Sequence, residues 1–210
     1  MKRSLFSYVV VAMALLFGCV ASAGAQTKEA KKDAKKRVKE LKKEGWKLMT
    51  STYSMEYVIL EYNSYMAEDP ENRIALTGIA IGQNPKVGRD NATMNAVTNY
   101  AGRAASQVVG KMKSIAQSTA SEVSDEIDKF GEAYEIGVNT KITGIVKQHF
   151  ILYRDLGDGT YEYNVYLSID ESQARQLREE AAQQAAEQAK LKSLSQEVED
   201  FIGQPVEADY

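Results

Sequence analysis

The sequence predicts an α+β protein in which a small sheet of about three strands, including a hairpin, packs one face against Ala-rich helices. Three patterns indicate this class. An apolar run of strand character, residues 74–82, precedes two long segments with helical periodicity. Two further strand-like segments follow, and the turn-forming sequence Asp155–Gly159 joins them. A basic N-terminal helical arm and a long C-terminal helix flank this body.

The first 25 residues have the features of a secretory signal peptide. Lys2 and Arg3 give a positive start, residues 8–17 are apolar, and Ala23–Ala25 supplies the small residues that precede a cleavage site. We expect cleavage after Ala25, and hence an exported protein of the periplasm or the outer membrane. A retained membrane anchor is the alternative, since the uncharged stretch is long enough to span a bilayer.

Cys19 provides another alternative, because Leu16–Cys19 resembles the lipobox of bacterial lipoproteins. Phe17 is bulky where that motif prefers a small residue, so cleavage after Ala25 without a lipid is the favoured prediction. The remaining chain then has 185 residues and no cysteine. We therefore expect a fold held by its hydrophobic core, without a disulfide and without a Cys/His zinc site.

Residues 26–47 are predicted to form a basic helical arm that docks weakly on the body. Residues 28–47 contain ten Lys/Arg and four Asp/Glu, a net charge of +6, whereas residues 48–210 carry a net charge of −11. The remaining boundaries place a single α+β domain at 48–202 and a flexible tail at 203–210. The acidic body argues against a nucleic-acid partner.

The charge of the arm has two interpretations. A run of charged residues is usually a solvated helix face. The sharper hypothesis is weak, reversible contact with anionic envelope material, either phosphate-bearing lipid surfaces or acidic glycans. The predicted contacts are five lysines: Lys31, Lys32, Lys35, Lys36 and Lys39.

The elements of the body follow from the spacing of apolar residues. Helical spacing predicts helices at 54–66, 91–118 and 121–135, and a final helix from Asp170 to Ile202. Alternation and turn residues predict strands at 74–82, 142–154 and 160–169, with residues 83–90 as a loop. The apolar face of the final helix is weak, so we expect it to be able to pair with a second copy of the chain.

Few residues qualify as candidates for chemistry. His149 is the only histidine, and it lies in a predicted strand without a nearby Ser or Cys motif. We expect a solvated or hydrogen-bonded histidine on the strand face of Thr143, Ile145, Lys147 and Ile151.

Carboxylates near the predicted hairpin are the second candidate. Asp155, Asp158 and Glu162 could bind Ca²⁺, but they lack the spacing of a calcium-binding loop, so a plain turn is favoured. We predict no catalytic residue, no metal site and no cofactor.

Four tyrosines surround the first helix of the body: Tyr53, Tyr57, Tyr62 and Tyr65. An exposed strip of tyrosines could stack on sugars or on a partner protein. An amphipathic core face with hydroxyls at its edge is the favoured interpretation.

Three segments carry a family resemblance: Lys39–Trp46, the strand Ile79–Gly82 and the Ala-rich helix Asn95–Gln107. Together they resemble secreted Gram-negative envelope proteins that are distantly similar to the Lpp-twenty-type lipoprotein domain. The resemblance implies a core of a strand, an Ala-rich helix and a hairpin, an envelope location and no established enzymatic residue.

These observations predict a non-enzymatic secreted envelope protein that acts as a binding or scaffold module. Its expected partners are an envelope protein or a glycan, with weak contact to anionic membrane surfaces. The alternatives are a hydrolase of an unrecognised type acting on cell-wall or glycan material, and a self-assembling structural protein.

Overall fold

The computed structural model of the chain describes residues 28–49, 51–116, 122–191 and 193–206. The predicted signal peptide, with Cys19, lies outside them. Six helices and a four-stranded antiparallel sheet make up the described part, which confirms the α+β class and corrects the number of strands from three to four. In chain order the elements are α1 (Lys28–Lys43), β1 (Lys47–Leu48), α2 (Met55–Glu68), β2 (Arg73–Gly82), α3 (Pro85–Ala116), α4 (Glu122–Ile142), β3 (Lys147–Asp155), β4 (Tyr161–Asp170), α5 (Glu171–Gln188) and α6 (Gln196–Ile202).

The additional strand is β1, at one edge of a sheet with the order β1-β3-β4-β2. Its two residues pair with Tyr153 and Leu152 of β3. An element of two residues is too short to show an alternating pattern, which is why the sequence did not reveal it. The predicted hairpin is β3 with β4.

Helices cover both faces of the sheet, so the prediction that they lie on one face is wrong. The helices α3 to α6 share one core with residues such as Ile151 and Val165. On the opposite face α1 and α2 share a second core with Phe150 and Leu152. The apolar run at residues 150–152 is therefore buried on both faces of the sheet, which is typical of a central strand.

The long helix α3 begins at Pro85, within the stretch 83–90 that was predicted to be a loop. The side chain of Asn84 accepts hydrogen bonds from the backbone N–H groups of Lys86 and Val87. Proline at the first helical position fits this cap, because its missing N–H would be unpaired there in any case. The polar and charged residues of this first turn concealed the helix.

The predicted final helix is two helices rather than one. Helix α5 ends at Gln188, and Lys190 adopts a left-handed backbone conformation with φ 59°. The side chain of Ser195 then caps α6. The Ala-rich face of α5 is buried within the chain, mainly against α4. The apolar stripe that motivated pairing with a second copy through this helix is thus already covered.

The basic arm is α1, and its apolar stripe packs on α2. Ala34, Val38 and Leu41 of this stripe are buried, as is Trp46, which follows the helix. The arm therefore contributes to the second core. Among the described helices, none combines the length and the apolar character that crossing a membrane requires.

Candidate functional site

The exposed side of α1 separates its lysines from its acidic residues, while Arg37 lies on the acidic side and pairs with Glu40. At about 100° per residue, the seven exposed lysines among the described side chains of α1 fall within an arc of about 140°. The four acidic residues of the segment, Glu29, Asp33, Glu40 and Glu44, fall within a separate arc of about 60°. We call the positive arc the lysine face; its members are Lys31, Lys32, Lys35, Lys36, Lys39, Lys42 and Lys43.

The five lysines predicted to contact anionic surfaces all lie on the lysine face and are all exposed. The ammonium of Lys35 lies 4.0 Å from a carboxylate oxygen of Glu56 on α2, the upper limit of an ion pair. An ion pair this long and this exposed contributes little to the stability of the fold, so the charge of Lys35 is available to a ligand. The burial of Ala34, Val38 and Leu41 on the other side fixes the direction in which the lysine face points.

A shallow groove of about 580 Å³ lies at the C-terminal end of the lysine face, beside the start of α2. Lys42 links the two, because it belongs to both. The lining residues are Lys42, Gly45, Trp46, Lys47, Leu48, Ser51, Tyr53, Ser54 and Met55. The groove thus combines two ammonium groups with aromatic and apolar surface.

The predicted tyrosine cluster divides into two pairs, and Tyr53 of the first pair lines this groove. Tyr53 and Tyr57 are 60% and 47% exposed, and their rings stack with centroids 4.6 Å apart. Tyr62 is buried, and Tyr65 packs against His149. The core interpretation therefore applies to Tyr62, while the first two tyrosines present an exposed aromatic surface.

Trp46 forms the inner wall of the groove and is held by polar neighbours. Its indole N–H donates to Glu44 at 3.3 Å, and the guanidinium of Arg154 lies 4.7 Å from the ring centroid. Arg154 in turn pairs with the buried carboxylate of Glu162 at 2.6 Å. These contacts lock the indole in place, so the groove has a rigid wall.

The ion pair with Arg154 engages Glu162, one of the three carboxylates near the hairpin turn that could have bound Ca²⁺. Asp155 accepts a hydrogen bond from the N–H of Gly157, and Asp158 accepts from the N–H and hydroxyl of Thr160. The bonds from Thr160 lower the pKa of Asp158. The carboxylates thus stabilise the turn and do not converge on one point. Nor do any three His, Cys, Asp or Glu side chains of the described residues form a group that could hold a metal ion.

His149 does not share a sheet face with Ile151, contrary to the prediction. A β-bulge between Gln148 and Phe150 inserts His149 as an extra residue and turns its ring toward α2. There it contacts the rings of Tyr62 and Tyr65, with centroids 4.9 and 4.8 Å away. Its Nε2 lies 2.8 Å from the hydroxyl oxygen of Ser168.

This Ser–His pair differs from a catalytic one in its surroundings. Ser168 is fully buried, so a substrate cannot reach its hydroxyl in this conformation. Burial, followed by the charges of Lys147 and Arg73, lowers the pKa of His149 to about 4. In a Ser–His–Asp triad, by contrast, a carboxylate orients the ring and favours its protonated form. Both cations lie 3.8 Å from the Tyr65 ring, so the cluster is a packing unit of aromatic and charged groups.

Arg178 is the most deeply buried charge that sequence reasoning missed. All five of its N–H groups are used: Nε donates to the carbonyl of Ile202, Nη1 to Tyr100 and Glu171, and Nη2 to Glu171 and the carbonyl of Gln204. A saturated guanidinium has no donor left for a ligand. Arg178 therefore ties α5 to α3 and to the C-terminal segment.

A signal for Arg178 was present in the sequence. It lies four residues after Ala174 and three before Ala181, within the buried face of α5. A charge inside an apolar stripe at helical spacing indicates a buried partner. The contact between His149 and Ser168 had no such signal, because it depends on the bulge.

Comparisons with protein-family models, with curated protein sequences and with solved structures gave no match for this chain. The resemblance to the Lpp-twenty-type domain stays a prediction.

Proposed function

We propose that the protein is a non-enzymatic, secreted binding module of the cell envelope that recognises acidic glycans through the lysine face and the adjoining groove. One observation carries the proposal: the lysines of α1 are segregated from its acids and lead directly to an exposed pair of stacked tyrosines. A solvated helix that served solubility alone would not need this separation of charges.

The charges suit a polymer rather than a single small anion. The seven lysines extend from Lys31 to Lys43, about 18 Å along the helix axis at 1.5 Å per residue. Each exposed ion pair alone contributes little to the free energy of binding, but the contributions of several pairs to one polyanionic ligand add together. An extended polyanion can contact all of them at once. Binding of this kind is reversible and falls with rising ionic strength.

The groove favours a glycan over a lipid surface. The stacked rings of Tyr53 and Tyr57 offer an aromatic plane on which a sugar ring can lie, with Lys42 and Lys47 close to its carboxylate or sulfate groups. Insertion into a membrane interface requires apolar side chains beside the basic ones. The apolar stripe of α1 is committed to the core, so the arm has none to insert.

The enzymatic alternative has less support from the geometry. The buried Ser168, the depressed pKa of His149 and the dispersed carboxylates of the hairpin do not form an acid–base pair around a cleft. The scaffold alternative is compatible with glycan binding, since the lysine face and the groove occupy a small part of the surface.

Co-sedimentation with three probes tests the proposal: alginate, neutral dextran, and vesicles that contain phosphatidylglycerol. We expect binding to alginate at low salt, loss of that binding at high salt, and no binding to dextran. Changing Lys31, Lys32, Lys35, Lys36 and Lys39 to Glu should abolish it. Binding to the vesicles without binding to alginate would contradict a glycan ligand and support membrane contact instead.

A matched pair of variants separates local recognition from net charge. The variant Lys35→Glu/Lys39→Glu should weaken alginate binding at least about tenfold, on the order of 1 kcal/mol per lysine near an anionic surface. The variant Lys86→Glu/Lys129→Glu makes the same change in net charge at exposed lysines of α3 and α4 and should leave binding within about twofold. Equal losses in the two variants would reduce the effect to overall charge and overturn the assignment.

A further inference from the structure

A cavity of about 310 Å³ lies between the helices of the first core and the C-terminal segment. It is bounded by α3, α4, α5 and α6, and by the residues that follow α6. Most of its lining is apolar, namely Ala104, Val108, Phe201, Ile202, Pro205 and Val206. A cavity of about 150 Å³ is enough to hold benzene, so this one has room for a larger organic molecule. It lies on the opposite side of the sheet from the lysine face.

Arg178 holds the C-terminal wall of this cavity in place. Its guanidinium donates to the carbonyl of Ile202 at 3.3 Å and to the carbonyl of Gln204 at 2.9 Å. Gln204 and Pro205 line the cavity and are themselves exposed, so the cavity opens to solvent beside them. The site therefore has both a fixed wall and a path of entry.

Tyr134 brings a polar group without a partner to the lining. The residue is fully buried, and its hydroxyl makes no hydrogen bond within the part of the chain that the structure describes. Burial raises the pKa of Tyr134, so the hydroxyl keeps its proton and can donate it to an acceptor. The charge of Arg178 acts against this rise, which places the hydroxyl on the side of the cavity-lining guanidinium. A buried hydroxyl that lacks a partner costs free energy, and a ligand with an acceptor oxygen removes that cost.

The charge of Arg178 does not turn the cavity into an anion site. All of its N–H groups are bonded within the chain, and Glu171 neutralises it with a carboxylate oxygen 2.6 Å from Nη2. An anionic ligand would lose its hydration on entry and find no free charged donor in return. The lining thus favours a ligand without charge.

We infer that this cavity binds a small, uncharged and largely apolar molecule whose acceptor oxygen takes a hydrogen bond from the hydroxyl of Tyr134. A mostly apolar lining with few polar groups is typical of sites for small molecules. Water is a poorer occupant, because a buried water needs several polar partners. The site is independent of the glycan binding proposed for the other side of the sheet.

Three probes with equal numbers of non-hydrogen atoms test the inference on the full chain, purified in the form that accumulates in the cells that produce it. Acetophenone has an acceptor oxygen, isopropylbenzene has none, and benzoate is charged. Titrations followed by ¹⁵N–¹H NMR give both the affinity and the place of binding. We expect acetophenone to bind more tightly than isopropylbenzene, benzoate to bind more weakly than either, and the shifted resonances to be those of cavity-lining residues.

The variant Tyr134→Phe tests the hydrogen bond. It should weaken the binding of acetophenone at least about fivefold and change that of isopropylbenzene by less than about twofold. The melting temperature should not fall, because the hydroxyl makes no bond within the described fold. The control Tyr161→Phe removes a hydroxyl from a residue that does not line the cavity and should leave both affinities unchanged.

The variant Ala104→Leu tests the location, because it adds volume inside the cavity and should abolish the binding of both uncharged probes. Four results would overturn the inference. They are a lack of saturable acetophenone binding at ~10 mM, tighter binding of benzoate than of acetophenone, unchanged acetophenone affinity in Tyr134→Phe, and shifted resonances that lie away from the cavity.

Discussion

The two faces of the sheet differ in how closely the helices approach the strands. On the side of α3 to α6, small residues allow very close approach along β2: a Cβ on Gly78 would lie 2.0 Å from the carbonyl oxygen of Ala92. Large rings such as Tyr100 and Phe130 are buried on this side as well, away from that contact. On the side of α1 and α2, large rings fill the space between the helices and the sheet, among them Trp46, Tyr62 and Phe150.

The polar groups of the two faces also differ. On the side of α3 to α6, the buried Arg178 is fully paired within the chain, so the cavity of about 310 Å³ that it lines gains no free guanidinium donor. The side of α1 and α2 instead leaves Tyr53 and Tyr57 exposed beside lysines. The proposed glycan-binding function therefore lies on the side of α1 and α2, and we expect the opposite side to tolerate substitution least.

The largest effect should come from Gly78→Val in the close contact between β2 and α3. Its Cβ would meet backbone atoms of Ala92 and Ala96 at 2.0 and 2.6 Å, and these cannot move without shifting the helix. Overpacking of this severity should cost at least about 3 kcal/mol in the free energy of unfolding. Urea unfolding followed by circular dichroism measures it.

A second glycine of the same layer provides the control. A Cβ on Gly110, in the exposed part of α3, would meet nothing within 4 Å. Gly110→Ala should therefore stabilise the protein, by about 0.5–1 kcal/mol, because alanine restricts the unfolded chain and favours the helix. If Gly78→Val were no more harmful than Gly110→Ala, the close contact would not be what holds this face together.

A comparable loss of stability is expected on the other side of the sheet from Leu41→Ala in α1. Leu41 is buried in the second core, and truncation of a buried leucine costs about 2–5 kcal/mol. Leu156→Ala, in the exposed hairpin turn, is the matched control and should change stability by less than about 0.5 kcal/mol. Thermal unfolding of the two variants gives the comparison.

The same pair of variants bears on the predicted boundary at residue 48. If the domain 48–202 is independent of the arm, Leu41→Ala should destabilise the protein hardly more than Leu156→Ala does. Deletion of residues 26–45 with retention of cooperative unfolding would support that boundary. A large loss in Leu41→Ala would instead make α1 an integral part of the fold.

The elements with a strong periodicity could be predicted from the sequence, whereas features that depend on local backbone geometry could not. The strands β2 and β4 and the core stripe of α3 follow from spacing alone, since each shows a regular apolar pattern. The break between α5 and α6 depends on the left-handed backbone of Lys190, a residue with no intrinsic preference for it. No periodic pattern contains that information.

The candidate site was predictable in its charges and not in its shape. The lysines of the arm and the tyrosines in and before α2 were both identified from the sequence, but as separate features. The meeting of Lys42 and Tyr53 in one groove depends on the packing of α1 on α2 and on Trp46, contacts between segments that a periodicity in either one does not specify.

The smallest and most local effect concerns His149, within the aromatic packing of the second face. Burial, with the charges of Lys147 and Arg73, lowers its pKa to about 4 from an ordinary value of 6.5, so the folded state favours the neutral ring. This preference contributes stability above pH 6.5 that is lost as the pH falls toward 4, because the unfolded chain then takes up a proton that the folded chain resists. The free energy of unfolding of His149→Gln should therefore fall less steeply with decreasing pH over this window than that of the unchanged protein. The titration of carboxylates affects both proteins alike, so it cancels in the difference between the two slopes.

As the only histidine of the chain, His149 gives a single Cε1–H proton resonance, whose titration midpoint should lie well below 6.5 in the native protein and return near 6.5 in urea. A native midpoint at or above 6.5 would mean that the ring is solvated, and the aromatic side of the sheet would then be less tightly packed than the contacts with Tyr62 and Tyr65 require.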